Sequence, residues 1–253
     1  MFDLDGETAV VTGASRGLGA EAARQLAASG ADVAVNYPAG EEQEAAESVR
    51  TDVADAGGTA ITVEADVSDP AAVDRLFATV ADELGQPTVL VNNAGIGVAG
   101  PIEEISPEDL DRVLDVDLKG VFYCSQAAVS QMDDDPDDPP RIVNVTSQLA
   151  FKGAPELTHY CAAKGGVVSF TRALAREVAP GILVNAVAPG PMNTEMLHAG
   201  TSDEWRAAKR EDVPLDRFGE PEEVAPSICF LASRTSDYYT GQVLSPDGGD
   251  AMH

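Results

Sequence analysis

Lysine is almost missing from this chain: Lys119, Lys152, Lys164 and Lys209 are the only four. Lys and Arg together number 16 against 43 Asp and Glu, which gives a formal net charge of -27 over 253 residues. A surface of that sign repels phosphate backbones and anionic lipid, so nucleic acid and an acidic membrane are excluded as main partners. The densest acidic run, DDDPDDPP from Asp133 to Pro140, holds five aspartates, and without it the charge is still about -22. The acidity therefore belongs to the whole surface, a pattern that suits concentrated salt, where repulsion is screened within about 3 Å. A halophilic source is expected.

Cysteine is also sparse. Cys124, Cys161 and Cys229 are odd in number, far apart and set among apolar residues, which argues against a disulfide framework or a metal cluster and for reduced core thiols. Long apolar runs are missing too, and the opening MFDLDGETAVVTG has no basic stretch followed by an apolar one. A cytoplasmic protein without a membrane span is expected.

What the chain does have is alternation. Short β-branched runs (TAVVTG, DVAVN, AITVEAD, TVLVNNAG, RIVNVTS, ILVNAVAPG, GQVLSPDGG) are separated by stretches of helical period over 18–29, 41–56, 71–84, 108–132, 159–179, 202–211 and 222–233. Nearly all-apolar strands alternating with helices call for a parallel sheet covered on both faces, joined by right-handed crossovers. The expected fold is α/β, a doubly wound Rossmann fold with a seven-stranded parallel sheet. No repeat or composition break divides the chain, so 1–253 is read as one domain.

TGASRGLG (Thr12 to Gly19) follows the first strand and opens the first helix, where free backbone N–H groups and the helix dipole can hold a pyrophosphate. Gly13 permits the tight turn, Gly17 allows close approach of a cofactor and Gly19 close packing. Alone, such a loop could be only a turn. Tyr160 and Lys164, in HYCAAKGG, are four residues apart on one helix face, where an ammonium can lower a phenol pKa toward the working range of an acid–base catalyst. Alone, that pair could be a surface contact. Ser147 ends the fifth strand, at the carboxyl edge where doubly wound sheets bind ligands, and the three residues together read Ser-x12-Tyr-x3-Lys.

The G-x-x-x-G-x-G loop, NNAG at Asn92 to Gly95 and the Ser–Tyr–Lys spacing resemble the short-chain dehydrogenase/reductase family over essentially the whole chain. The resemblance implies that Tyr160 exchanges a proton with a carbonyl or hydroxyl oxygen, that Ser147 hydrogen-bonds that oxygen, and that Lys164 tunes Tyr160 and binds the nicotinamide ribose. It also implies cofactor contacts from Gly13, Ser15, Arg16, Gly17, Leu18, Gly19, Asp66, Val67, Asn93, Ala94 and Gly95, and from Pro189, Gly190, Met192 and Thr194 in APGPMNT. Asp66 matches a position that holds the adenine amino group, and a segment near 191–213 would cover the substrate. Asp117 departs from the pattern, standing where the family has an Asn whose carbonyl holds a water leading to the lysine. Its carboxylate should favour a protonated Lys164. GQVLSPDGG resembles the last strand used in family homotetramers.

Cofactor choice depends on charge near the adenosine ribose. Tyr37 falls where NAD-preferring relatives carry Asp, and Arg16 could pair with a 2′-phosphate. NADP(H) is therefore favoured over NAD(H), with Glu41 and Glu42 as counter-evidence. The nearest resemblance is to 3-oxoacyl thioester reductases, with sugar and secondary-alcohol dehydrogenases close behind and a dinucleotide-sensing regulator as the non-enzyme alternative. Carrier-protein reductases are usually basic just before the strand to the catalytic serine. This chain has DDDPDDPP there, which argues against an acidic carrier-protein partner and for a CoA ester or a small free carbonyl/alcohol substrate. The run lacks the glycine and spacing of a calcium loop and is read as a solvated loop. No metal is expected. His159 could touch substrate or be a polar neighbour on the helix.

Overall fold

The computed structural model describes residues 2–40 and 42–252. The chain opens with β1 (Thr8–Val11), α1 (Gly17–Ala28), β2 (Asp32–Tyr37), α2 (Gln43–Asp55), β3 (Ala60–Glu64), α3 (Pro70–Glu83) and β4 (Val89–Asn92). It continues with α4 (Pro107–Leu114), a π-helical turn (Asp115–Gly120), α5 (Val121–Gln131), β5 (Arg141–Val145), α6 (Leu149–Lys152), α7 (Thr158–Val178) and β6 (Leu183–Val187). The last elements are α8 (Glu195–Gly200), α9 (Asp203–Asp212), α10 (Pro221–Ala232) and β7 (Val243–Leu244). The strands form one seven-stranded sheet in the order β3-β2-β1-β4-β5-β6-β7, parallel at every pairing.

The alternation of side chains along each strand divides the core in two. Val11, Val33, Val35, Val91 and Val143 face Leu26 of α1, Val49 of α2 and Ile228 of α10. Val10, Ala34, Leu90, Ile142 and Val184 face Leu76 and Phe77 of α3, Cys124 of α5 and Ala175 of α7. Because both faces are covered, the central strands are apolar at most positions, each buried apolar side chain contributing roughly 1.5–3 kcal/mol. Cys124 and Cys229 are buried free thiols, pushed up to about 12 by burial.

Local chemistry sets the helix starts. Asp69 and Ser106 cap α3 and α4 through their side chains, each ahead of a proline in the first turn, and Ser202 caps α9. The stretch 108–132, expected as one continuous helix, is instead three pieces with the π-helical turn in the middle. A π-helical turn carries an extra residue, so the apolar face is rotated rather than lost and the periodicity does not reveal the break. Short α6 and α8, each of one turn or so, also lie outside the expected helices.

The aspartate run after α5 is surface loop. Asp138 pairs with Arg234, Asp133 accepts from Gln86, and Asp135 accepts the Asp137 N–H within the loop. Among the described residues, no three His, Cys, Asp or Glu side chains are grouped so as to hold a metal ion, and no helix is long and apolar enough to cross a membrane.

Candidate active site

Three loops meet at the carboxyl end of the sheet. The first is the glycine turn after β1. Gly13 has φ +60°, and a Cβ there would sit 2.8 Å from Ala94 Cα; Gly17 has φ +56°, and a Cβ at Gly19 would collide with Asn93 Nδ2 and the Gly13 carbonyl. All three positions therefore require glycine, by conformation, by close approach or by both. Thr12 Oγ1 accepts the Asn93 and Ala94 N–H groups, each at 3.0 Å, while Asn93 Nδ2 donates to the carbonyls of Thr12 and Gly13, each at 2.9 Å. Asn36, buried at the end of β2, accepts the Gly13 N–H at 3.3 Å and donates to the Ala65 carbonyl at 3.0 Å. The glycine turn is thus tied to the loops after β4 and β3. The first turn of α1 has no side-chain cap, which leaves its N–H groups for an anion, and Leu18 packs into the core behind it.

Around this turn the charges differ from expectation. Arg16 is not free for a phosphate: it pairs with Glu42 and, at 3.3 Å, with Glu195, and Ser15 Oγ donates to the same Glu42 carboxylate. In so acidic a chain a solvent-facing guanidinium finds carboxylates nearby. Glu41 lies outside the described residues. Tyr37 is buried at the end of β2, beside Glu64 of β3. Asp66 stays at the surface, where its Oδ1 accepts from the Ser68 N–H and hydroxyl. Val67 is buried against the π-helical turn, since a Cβ at Gly120 would lie 2.7 Å from Val67 Cγ2. After β6, Pro189 accepts the Gln148 N–H at 3.0 Å, Gly190 passes so close to Asp247 that a Cβ would meet its Cα at 2.6 Å, and Met192 bridges to Gly219. Thr194 precedes α8 and lies over the glycine turn, with Cγ2 3.7 Å from where a Gly17 Cβ would be.

Ser147, Tyr160, Lys164 and Asp117 come together between β5, α7 and the π-helical turn. Thr146 donates its hydroxyl to the Lys164 carbonyl at 2.7 Å, fixing the end of β5 to α7. Ser147 is nearly buried, accepts the Leu149 N–H at 3.1 Å and lies close enough to the half-buried Tyr160 hydroxyl to favour its ionised form. Lys164 Nζ donates to the Val145 carbonyl at 3.2 Å, lies 5.7 Å from the Tyr160 ring centroid and is 3.3 Å from Asp117 Oδ2. Asp117 is fully buried, and its Oδ1 accepts the Ile96 N–H at 2.8 Å. Gly95 makes room for the pair, because a Cβ there would lie 3.1 Å from Asp117 Oδ2 and 3.2 Å from Lys164 Nζ.

Buried charges this close set one another's protonation. Burial pulls Lys164 down, but the charges of Asp117 and Tyr160 outweigh it and hold the ammonium above its ordinary value. Burial raises the Asp117 carboxyl against the pull of Lys164 and the Ile96 N–H. The Tyr160 phenol also ends above its ordinary value: burial raises it most, Lys164 lowers it, Asp117 raises it again and Ser147 lowers it. The ammonium acts on Tyr160 in the expected direction, yet burial and the Asp117 carboxylate exceed it, so the phenol keeps its proton at neutral pH.

Several supporting residues escaped the sequence reading. Asn92, Asn144 and Thr171 form a buried chain, Asn92 Nδ2 donating to Asn144 Oδ1 at 2.8 Å and Asn144 Nδ2 to Thr171 Oγ1 at 2.9 Å. Their signal was asparagine inside otherwise apolar strands, where it is normally depleted. His159 does not reach outward; in the first turn of α7 it is buried, and among the described residues neither ring nitrogen has a hydrogen-bond partner.

The family described as "Enoyl-(Acyl carrier protein) reductase" matches residues 13–250. A "3beta-hydroxysteroid dehydrogenase 1" from Eggerthella lenta is 43% identical over 99% of this chain and 96% of its own length. A "3-oxoacyl-[acyl-carrier-protein] reductase" from Synechocystis is 41% identical over 100% of both chains. Among solved structures, a blue fluorescent protein from a metagenomic library, in complex with NADPH, superposes with a TM-score of 0.91 at 36% identity, over 99% of this chain and 100% of that one. With this fold, this match along nearly its whole length and these relatives, the chain belongs to the short-chain dehydrogenase/reductase family and is an oxidoreductase acting on CH–OH groups with NAD(P).

Proposed function

We propose that the protein is an NADP(H)-dependent reductase that converts a carbonyl to a secondary alcohol, with a 3-oxoacyl thioester as substrate and a CoA ester preferred to a carrier-protein ester. The observation that carries the reading is the Ser147 hydroxyl, Tyr160 phenol and Lys164 ammonium gathered beside a turn in which Gly13, Gly17 and Gly19 leave a cradle that a Cβ would fill. A dinucleotide fits that cradle, its pyrophosphate against the uncapped start of α1. Ser15, Arg16, Leu18, Asn93, Ala94 and Gly95, with Asp66, Val67, Pro189, Gly190, Met192 and Thr194, would line its length. When bound, it supplies the hydride. Tyr160 gives its proton to the substrate oxygen, Ser147 holds that oxygen by a hydrogen bond, and Lys164 stabilises the phenolate left behind. A phenol that keeps its proton at neutral pH suits the reducing direction.

The Synechocystis relative's name supports the thioester, and the NADPH in the metagenomic structure supports the phosphorylated cofactor. The acidic loop before β5 supports a CoA ester over an acidic carrier. The Eggerthella lenta relative, at 43% identity, favours a second reading, a cyclic secondary alcohol or ketone such as a 3-hydroxysteroid. A homotetramer in solution fits the short edge strand β7 and the half-exposed Phe122, packed on Phe170 across α5 and α7 with ring centroids 5.6 Å apart. The test is a panel of acetoacetyl-CoA, a 3-ketosteroid, glucose and simple ketones or alcohols with NADPH and NADH in molar salt, which a halophilic protein needs to stay folded. Fastest turnover of acetoacetyl-CoA with NADPH is the expected result; steroid turnover alone favours the second reading, and no turnover overturns both.

A further inference from the structure

Two of the four lysines end on one carboxylate. Asp250 lies in the tail after β7 with its side chain only 2% exposed. Lys152 Nζ and Lys209 Nζ each lie 2.7 Å from its Oδ1, and Gln148 Nε2 donates to its Oδ2 at 2.5 Å. Burial works against ionisation here, but hydrogen bonds from Lys152, Lys209 and Gln148 and the Lys209 charge hold the carboxyl below its usual range.

The partners come from three parts of the chain. Gln148 follows Ser147 directly, Lys152 closes α6, and Lys209 sits on α9 in the segment expected to cover the substrate. α9 buries none of its own residues. Its Arg206 is engaged locally with Thr201 and Asp203, and Arg210 lies over the Phe218 ring. With so little apolar burial, the position of α9 depends heavily on the Lys209 contact. A buried carboxylate shared by two ammonium groups is a strong, directional tie, and its removal leaves two like charges facing each other.

We propose that Asp250 is a positioning residue: through Lys209 it fixes α9 over the site, and through Gln148 and Lys152 it ties that helix to the loop carrying Ser147. Closure of the covering segment and alignment of the serine hydroxyl are then one event. The kinetic part of this claim rests on the proposed reaction at Ser147 and Tyr160.

The test uses full-length Asp250→Ala, Asp250→Asn, Lys209→Met and the Lys209→Met/Asp250→Ala double variant, each compared with the unsubstituted protein. Ketone KM and kcat, NADPH affinity by nicotinamide fluorescence, and trypsin cleavage within 206–210 are measured. For Asp250→Ala, kcat/KM for the ketone falls roughly tenfold or more, since small misalignments of reacting groups are costly, while NADPH affinity is kept. Asp250→Asn, which keeps the shape and loses the charge, behaves like Asp250→Ala. Lys209→Met shifts kinetics the same way to a smaller extent, and the double variant is no worse than Asp250→Ala alone. Trypsin cuts α9 faster in all four. Unchanged ketone kinetics with an unchanged digestion pattern overturn the proposal, as does a parallel loss of NADPH binding and turnover, which marks a merely structural role. If the unsubstituted protein reduces no carbonyl, the functional reading fails, and trypsin protection still decides whether Asp250 holds α9.

Discussion

Replacing Asp117 by Asn, the residue usual at this position in the family that the chain resembles, isolates the effect of one buried charge. The 3.3 Å separation between Asp117 Oδ2 and Lys164 Nζ corresponds to a gross attraction of about 5 kcal/mol at an effective dielectric constant of about 20. Against it stands the cost of burying the carboxylate, which is of several kcal/mol and which Asn does not carry. Because Asp117 is raised in the folded state, that cost exceeds the attraction, and Asp117→Asn should raise Tm, by roughly 2–4 °C for each kcal/mol relieved in a chain of this size. The sign with pH follows from the two shifts. Lys164, raised in the folded state, contributes stability that is complete below its unfolded value and lost as pH rises through its folded one. Asp117, also raised, works the other way at neutral pH, its buried charge being a cost that disappears as pH falls through its folded value. Melting is therefore compared across a pH series, because both contributions change as pH crosses the folded values. Asp117 also raises Tyr160, so without it the phenol ionises more easily. In alcohol oxidation, which needs the phenolate, the alkaline rise in kcat should move to lower pH. An unchanged Tm together with an unmoved alkaline limb would refute the reasoning, because a buried pair at this distance has to show in both.

Other substitutions test the cofactor cradle. Gly19→Ala places a Cβ against Asn93 and the Gly13 carbonyl and should cost about 1–3 kcal/mol of stability together with dinucleotide binding, read by thermal melting and fluorescence titration; full NADPH affinity would show that the turn does not hold the cofactor. Glu42→Gln removes one of the two carboxylates that hold Arg16. Exposed pairs of this kind are worth about 0.2–1 kcal/mol, so the KM for NADPH should fall by up to about fivefold, with that for NADH little changed. An equal change for both cofactors would mean that Arg16 does not meet the 2′-phosphate.

The strands were legible because a sheet covered on both faces needs mostly apolar strands, and runs such as TAVV and VLVN satisfy that need. The glycine turn was legible because positive φ at Gly13 and Gly17 excludes most other residues. Spacing brought Tyr160 and Lys164 to one side of α7. What spacing could not supply was the sum of fields around Tyr160: the ammonium beside it suggested an acidified phenol, and only the depth of the site shows that burial wins. The π-helical turn stayed hidden inside a continuous helical pattern, although Asp117, which meets Lys164, lies within it. The Asp117 carboxylate was expected to act on Lys164, and it lies 3.3 Å from the ammonium, which is held above its ordinary value. Pairings between distant residues were equally invisible. Arg16 with Glu42, and Asp250 with Lys152 and Lys209, depend on loops whose courses are set by tertiary packing and not by local pattern.

The central claim is that Tyr160 carries the proton of the reaction. Tyr160→Phe keeps the ring over which Lys164 lies and removes only the hydroxyl. Carbonyl reduction by the purified Tyr160→Phe protein with NADPH should fall by a factor on the order of 100 or more, with NADPH affinity retained. Reduction at the unsubstituted rate would contradict the account.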